Sequence, residues 1–98
     1  MEQLKILTII TESILENSLA KEIEEHGAHG YTITDARGKG HQGLRNAGWD
    51  YNSNIKIEIV CTASVCDGIS AHIKDKYYDD YAMISFSYDA TVQRSNRF

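Results

Sequence analysis

The chain has 98 residues, of which 42% are hydrophobic and 24% charged, and its formal net charge is -4. This length suits one domain, and the composition excludes a disordered chain. The acidic balance argues against nucleic acid as a partner, because nucleic-acid binders usually carry a basic stripe. No apolar run approaches the roughly 20 residues of a membrane span, so we expect a cytoplasmic protein without direct membrane insertion.

The first half of the chain predicts a strand, a helix and a strand. Residues 4–11 are apolar and β-branched, as in a buried strand. A four-residue apolar repeat then predicts one stripe of a helix, at Leu15, Leu19 and Ile23. We expect Ser13 and Glu16 to form a capping box and Gly27 to end this helix. Residues 31–35 return to strand-forming types.

The second half repeats this order after a glycine-rich segment. Isoleucines alternate with charged residues over 55–59, which predicts a strand with one buried face. Ser64 and Asp67 are candidates to begin a second helix. Its apolar stripe comprises Val65, Ile69, Ile73 and Tyr77. Apolar residues alternate again over 82–88, which predicts the last strand.

The element order β-α-β, loop, β-α-β predicts a ferredoxin-like α+β fold. In this fold an antiparallel four-stranded sheet carries both helices on one face. The chain lacks proline and a Ser/Gly-rich linker, so we expect residues 1–98 to form a single domain. The other face of the sheet also carries apolar residues on several strands, and self-association would cover it.

The cysteines and histidines do not indicate a metal site. Cys61 and Cys66 are too few for a disulfide framework and lack a second pair at zinc-site spacing. We interpret them as free thiols. His26, His29 and His72 are interpreted as surface or helix-end residues rather than ligands.

The segment RGKGHQGLRNAG, residues 37–48, contains four of the seven glycines of the chain. Its G-x-G-x-x-G match at Gly38, Gly40 and Gly43 is followed by a strand rather than a helix, so a Rossmann nucleotide site is rejected. Two interpretations remain. The segment is a flexible connection between strands, or its bare backbone and the side chains of Lys39 and Arg45 bind a phosphate group.

Residues 30–41, GYTITDARGKGH, resemble the second strand and T-loop entry of PII signal-transduction proteins. Residues 55–59 resemble the strand that leaves the T-loop, which would span about 37–53. The chain is most similar to the PII-like branch of SbtB and carboxysome-associated PII proteins, in which an arginine follows the glycine-lysine-glycine stretch. Arg45 occupies that place.

The resemblance implies a homotrimeric regulator that is not an enzyme. An adenine nucleotide would bind in clefts between subunits and order the T-loop. The T-loop would then dock on a partner, such as a bicarbonate transporter or another membrane transporter. The implied role lies in inorganic-carbon (bicarbonate) uptake or carboxysome-linked metabolism, with bicarbonate as a further possible ligand.

Two departures narrow this expectation. PII proteins proper carry a second glycine-lysine loop before the last strand, whereas residues 76–81 here read KYYDDY. Because Asp79 and Asp80 would repel a polyphosphate, we expect AMP, ADP or cyclic AMP (cAMP) rather than ATP. The C-terminal cysteine pair of some SbtB proteins is also missing from residues 94–98.

The resemblance assigns phosphate contacts to the glycine-lysine-glycine stretch and Arg45, ribose contacts to Thr34 and Asp35, and adenine contacts to Ala82 and Met83. The full predicted nucleotide-binding set is Thr34, Asp35, Gly38, Lys39, Gly40, His41, Gln42, Arg45, Ala82 and Met83. Trp49 and Tyr51 near the far end of the loop are predicted partner contacts.

Two other proteins of this architecture are alternatives. An acylphosphatase-like enzyme needs an arginine in its first loop, where this chain has Thr11-Glu12-Ser13-Ile14. A CutA-like metal-tolerance protein lacks the glycine-lysine-glycine stretch. The loop therefore distinguishes a PII-like regulator from both.

Overall fold

The computed structural model describes residues 2–38 and 53–94. Within them the elements are β1 (Glu2–Glu12), α1 (Glu16–Glu25), β2 (Thr32–Ala36), β3 (Asn54–Cys61), α2 (Ala63–Tyr77) and β4 (Met83–Val92). A 3₁₀ turn at Ser13–Leu15 joins β1 to α1. The predicted ferredoxin-like order of elements is confirmed.

The strands form one antiparallel sheet in the order β2-β3-β1-β4. The two central strands, β1 and β3, are the most buried, because their neighbours and the helices remove them from water on most sides. β2 and β4 form the two edges. The sequence neighbours β2 and β3 pair directly, whereas β4 reaches the opposite edge by crossing over through α2.

The hydrophobic core lies between the sheet and both helices. Side chains of alternate positions on β1 and β3 face it, and Leu7, Ile9, Ile57 and Ile59 are at most 1% exposed. Most of the predicted stripe residues join the same cluster, namely Leu15 from the 3₁₀ turn, Leu19 and Ile23 from α1, and Ile69, Ile73 and Tyr77 from α2. Val65, the first residue of the predicted second stripe, is only partly buried and packs against this cluster. Each such aliphatic side chain contributes about 1.5–3 kcal/mol on burial. The periodicities of two and four in the sequence therefore both identify real core positions.

The helix ends agree only in part with the sequence prediction. Gly27 has φ +103°, a conformation that glycine adopts readily, and it ends α1 as expected. The predicted capping box is wrong, because Ser13 belongs to the 3₁₀ turn and α1 has no side-chain cap. The residue that caps α2 is Thr62, whose Oγ1 accepts a hydrogen bond from the Val65 N–H at 3.3 Å. Its extended backbone suits that role, and Ser64 already lies inside the helix.

We call the surface of the sheet opposite the helices the outer face. On β4 it exposes Ile84 (54%), Phe86 (47%) and Tyr88 (48%). The half formed by β2 and β3 is polar, with Thr34 opposite Lys56. The predicted apolar second face is thus confirmed, and it is concentrated on the β1–β4 half.

A polar cluster around Glu22 connects the two helices. The Glu22 carboxylate accepts hydrogen bonds from His72 Nε2 at 2.7 Å, Lys76 Nζ at 2.6 Å and the Tyr77 hydroxyl at 2.8 Å. Burial acts to raise the pKa of Glu22, but the hydrogen bonds from Lys76, His72 and Tyr77 outweigh it and lower that pKa. The ring of His26 also lies 4.7 Å from that of His72.

Both cysteines are free, as predicted, and both are buried. Burial, and then the neighbouring Cys66, raise the pKa of Cys61 to about 11, which keeps its thiol protonated. Among the described residues no group of His, Cys, Asp and Glu side chains is arranged to hold a metal ion. In the same part of the chain, neither helix is long and apolar enough to cross a bilayer.

Candidate functional site

One end of the sheet, which we call the loop end, gathers the residues that flank the glycine-rich segment and the start of β4. The strand register places Asp35 opposite Ile55, Ile55 opposite Thr11, and Thr11 opposite Met83. These residues form one row across all four strands. The predicted ribose and adenine contacts are therefore level with each other along the strand direction.

The same row separates the two predicted groups across the sheet. Asp35 lies on the β2 edge and Met83 on the β4 edge, with β3 and β1 between them. Three strand spacings amount to about 14 Å. One chain therefore does not bring Asp35 and Met83 together, although it aligns them at the same end.

The predicted nucleotide residues differ in exposure. Thr34, Asp35 and Gly38 are exposed, and no described residue lies within 4 Å of the position that a Cβ would take at Gly38. Ala82 is buried, and Met83 is partly buried against the core. The other predicted positions lie outside the described residues, namely Lys39, Gly40, His41, Gln42, Arg45, Trp49 and Tyr51.

Two side chains at the end of β1 hold the backbone of Ala82. Thr11, itself fully buried, donates its hydroxyl to the Ala82 carbonyl at 2.7 Å. The Glu12 carboxylate accepts the Ala82 N–H at 2.8 Å. The Ala82 N–H is therefore already occupied. Of the two Ala82 backbone groups, only the carbonyl oxygen, through its second lone pair, is left for the predicted adenine contact.

A residue that follows the glycine-rich segment is hydrogen-bonded to the chain just after the end of β1. The Ser13 N–H donates to the Ser53 carbonyl at 2.8 Å, directly after Glu12 and directly before β3 begins. Asn54, the first residue of β3, is only 3% exposed, and its Oδ1 has no hydrogen-bond partner among the residues that the structure describes. The loop exit, the end of β1 and the start of β4 thus form one connected region.

Sequence reasoning does not assign Thr11, Glu12 or Asn54 to this site. In the sequence, Thr11 and Glu12 serve only as evidence against an acylphosphatase-like enzyme. Asn54 is marked only by its position next to a predicted strand. The sequence carries one indication of these residues, because polar side chains end the apolar strand β1 and begin the apolar strand β3. The contacts of Thr11 and Glu12 join positions 71 and 70 residues apart, and local periodicity carries no information on these.

The connection from α2 to β4 adds negative charge near Ala82. Asp79 and Asp80 are both exposed. The connection is folded tightly against the end of α2, because the Asp80 and Tyr81 N–H groups both donate to the Tyr77 carbonyl. Those two N–H groups are thus satisfied within the chain, so this connection offers fewer donors to a phosphate than a glycine-rich loop would.

The family model for nitrogen regulatory protein P-II matches residues 4–97. The chain belongs to the PII family. This membership agrees with the βαββαβ sheet and with the position of the glycine-rich segment between β2 and β3. It favours the PII-like regulator over the acylphosphatase-like and CutA-like alternatives.

Solved PII-like structures superpose on nearly the whole chain. A PII-like signalling protein (TTHA0516) from Thermus thermophilus is 36% identical, with a TM-score of 0.82 over 98% of this chain and 95% of that one. CPII from Thiomonas intermedia K12, bound to ADP, AMP and bicarbonate, is 22% identical, with a TM-score of 0.80 over 95% and 96%. The GlnK–ATP complex of B. subtilis is 22% identical, with a TM-score of 0.67 over 91% and 84%. At 22% identity, the last two show likeness of fold alone.

Proposed function

We propose that this PII-family regulator binds an adenine nucleotide in clefts between the subunits of a homotrimer and signals through its T-loop, about residues 37–53. One observation carries the proposal. Asp35 and Met83 share a register row at the loop end but lie on opposite edges of the sheet. A neighbouring subunit that sets its β4 edge beside this β2 edge completes the site.

The outer face supports the assembly. Ile84, Phe86 and Tyr88 form a contiguous exposed apolar surface on β4, next to the apolar residues of β1. A domain of 98 residues gains stability by burying such a surface against copies of itself. Trimer formation therefore both covers this face and creates the clefts.

The charges favour a short phosphate chain. Lys39 and Arg45 supply cations from the loop, whereas Asp79 and Asp80 lie exposed beside the start of β4. We therefore assign AMP, ADP or cAMP as the ligand, and we expect ATP to bind more weakly. Replacing both aspartates by asparagine removes the repulsion and should improve ATP binding more than AMP binding.

Isothermal titration calorimetry tests the nucleotide site directly. AMP, ADP, ATP and cAMP are titrated into the wild type, Arg45→Ala and the control Lys21→Ala, which changes an exposed lysine on α1. We expect Arg45→Ala to weaken binding of the preferred nucleotide about tenfold, since a charge-assisted phosphate contact is lost. If none of the four nucleotides binds the wild type, the proposed function is wrong.

Subunit mixing tests the location of the clefts. Asp35→Ala and Met83→Glu each remove one half of every cleft in a pure trimer. In mixed trimers some clefts receive an intact β2 edge from one variant and an intact β4 edge from the other. We expect mixing to restore part of the nucleotide binding. A site contained within one chain predicts no recovery.

The regulatory role is proposed to lie in inorganic-carbon uptake or carboxysome-linked metabolism, as in the SbtB branch. The structure of CPII, which has the same fold, contains bound ADP, AMP and bicarbonate. The target would be a bicarbonate transporter or another membrane transporter, approached from the cytoplasm through Trp49 and Tyr51. Titration of bicarbonate in the presence of ADP tests the carbon link. An ADP affinity that bicarbonate leaves unchanged would speak for another signal.

A further inference from the structure

The outer face carries two opposite charges on its central strand β3, at Lys56 and Glu58. Both side chains are partly buried within the single chain. In the part of the chain that the structure describes, neither forms a salt bridge or a side-chain hydrogen bond. Their cross-strand neighbours are uncharged, namely Ile10 and Thr34 for Lys56, and Thr8 and Thr32 for Glu58. The single chain therefore leaves both charges without a partner on this face.

Thr8 adds an unpaired hydroxyl group at the same place. It is only 2% exposed, and its Oγ1 has no hydrogen-bond partner among the described residues. Thr8 lies opposite Glu58 on one side and Phe86 on the other, so it joins the charged half of the outer face to the apolar half. Because buried hydroxyl groups are nearly always hydrogen-bonded, this face lacks some of its polar contacts in the single chain.

Assembly through the outer face makes these missing contacts matter more. A second copy that covers the apolar surface of Ile84, Phe86 and Tyr88 also removes the adjoining charges from water. A buried charge without a partner is strongly unfavourable, whereas a buried pair of opposite charges is tolerated. The partner that covers this face must therefore present a carboxylate to Lys56 and an ammonium group to Glu58. A second copy of this chain presents both.

We propose that Lys56 of one subunit forms a salt bridge with Glu58 of the next subunit, and that three such pairs form a ring which sets the orientation of the subunits. This inference rests on the homotrimer of the proposed function and names the polar contact that holds it. The Glu58 carboxylate, fixed in this way, is also the acceptor closest in register to the Thr8 hydroxyl.

The two residues have the arrangement that a closed ring needs. In a ring of identical subunits, each subunit contacts its two neighbours with two different patches. Lys56 and Glu58 lie two residues apart on one face of β3, which separates them by about 7 Å along the strand. Each can therefore contact a different neighbour, and every charge in the ring is used once. The long apolar stem of the lysine allows its ammonium group to reach across the contact.

Charge reversal tests the pair through the mass of the assembly. Lys56→Glu or Glu58→Lys alone places like charges in contact at every interface, and we expect the trimer to dissociate at about tenfold higher protein concentration or more. The double variant Lys56→Glu/Glu58→Lys restores opposite charges and should assemble like the wild type. Lys21→Glu changes an exposed lysine of α1 and should leave the mass unchanged. Light scattering after size-exclusion chromatography, over a dilution series, measures these masses.

Subunit sorting distinguishes a contact between subunits from one within a chain. Wild type and the isotope-labelled double variant are unfolded, mixed and refolded, and native mass spectrometry measures the composition of the trimers. A contact between these two chains brings together two lysines or two glutamates, so we expect each chain to assemble with its own kind. Labelled and unlabelled wild type are the control and should mix at random. Random mixing of wild type with the double variant would overturn the inference.

Neutral variants test the same pair without introducing repulsion that could prevent folding. Lys56→Gln and Glu58→Gln each leave one charge unpaired in the interface, and each should weaken assembly. Lys56→Gln/Glu58→Gln leaves none, so we expect it to assemble better than either single variant. Circular dichroism shows whether each variant is folded. Losses that add up in the double variant would contradict a direct pair.

The outcomes separate this inference from the function on which it rests. If the wild type is monomeric at every concentration, the proposed homotrimer is wrong and the ring falls with it. If the wild type is a trimer that binds ADP, but both charge reversals leave its mass unchanged, only the ring is wrong. Recovery of folding in the double reversal without recovery of the trimer would also overturn the ring and leave the nucleotide site standing.

Discussion

Glu12 and Ala82 are 70 residues apart in the chain, yet the Glu12 carboxylate accepts the Ala82 N–H at 2.8 Å. Together with the Thr11 hydroxyl on the Ala82 carbonyl, this contact sets where β4 begins. It also places the β4 side of the proposed cleft at the same end of the sheet as the glycine-rich segment. The end of β1 thus links the position of the start of β4 to that of the glycine-rich segment.

The Glu12 contact predicts a graded effect of substitution. Glu12→Ala removes the acceptor of a half-buried N–H and should lower the unfolding free energy by about 1–2 kcal/mol and weaken ADP binding. Glu12→Gln retains an amide oxygen at that place and should recover most of both. Chemical denaturation and calorimetry measure the two effects. Equal loss in both variants would show that the charge, rather than the hydrogen bond, is required.

The Glu22 cluster predicts a pH-dependent contribution to stability. The folded protein lowers the pKa of Glu22, so the folded state favours the ionised carboxylate. Its contribution is therefore complete above the unfolded pKa of about 4.3 and is lost as pH falls through the lower folded pKa. We expect Glu22→Gln to destabilise the protein by about 2 kcal/mol at neutral pH and by progressively less in acid.

Denaturation of the wild type and Glu22→Gln across the acid range checks this prediction. Glu25→Gln is the control, because Glu25 is exposed on the same helix and makes no described side-chain hydrogen bond. It should shift stability by less than about 0.5 kcal/mol. A difference between wild type and Glu22→Gln that stays constant with pH would contradict the assigned role of the charge.

The outer face predicts the effect of a charge on assembly. Phe86→Glu places a carboxylate in the middle of the exposed apolar surface, and we expect it to convert the trimer into monomers. Light scattering after size-exclusion chromatography measures the mass. Ile14→Glu is the control, since Ile14 is 79% exposed but belongs to the 3₁₀ turn rather than to a strand of the sheet. A trimer that survives Phe86→Glu would place the interface elsewhere.

Two glycines at the helices predict changes of opposite sign. Gly27 has φ +103°, so Gly27→Ala should cost about 1–2 kcal/mol of unfolding free energy. Gly68 lies inside α2, and a Cβ there would meet His26 Nδ1 at an ordinary 3.7 Å. Gly68→Ala should therefore stabilise the protein by up to about 1 kcal/mol. Thermal denaturation of both variants reports the signs, and the same sign in both would contradict the backbone assignment.

The elements of the fold were predictable from the sequence because each has its own period. Isoleucines at every second position of β3 and apolar residues at every fourth position of α1 mark their buried faces without reference to the rest of the chain. The end of α1 at Gly27 was predictable for a similarly local reason. The start of α2 was not, since Thr62, Ser64 and Asp67 are all suitable capping residues and only the backbone decides among them.

The sequence by itself determined the order of elements, the core stripes, the apolar outer face and the glycine-rich segment that resembles a T-loop. The tertiary structure decided what lies at the loop end. It aligned Asp35 with Met83 in one row on opposite edges, joined Glu12 to Ala82, and buried Asn54 with no partner for its Oδ1 within residues 2–38 and 53–94. The physical reason is that strand order and register arise from contacts between distant segments, and local periodicity specifies only which face of each segment is buried.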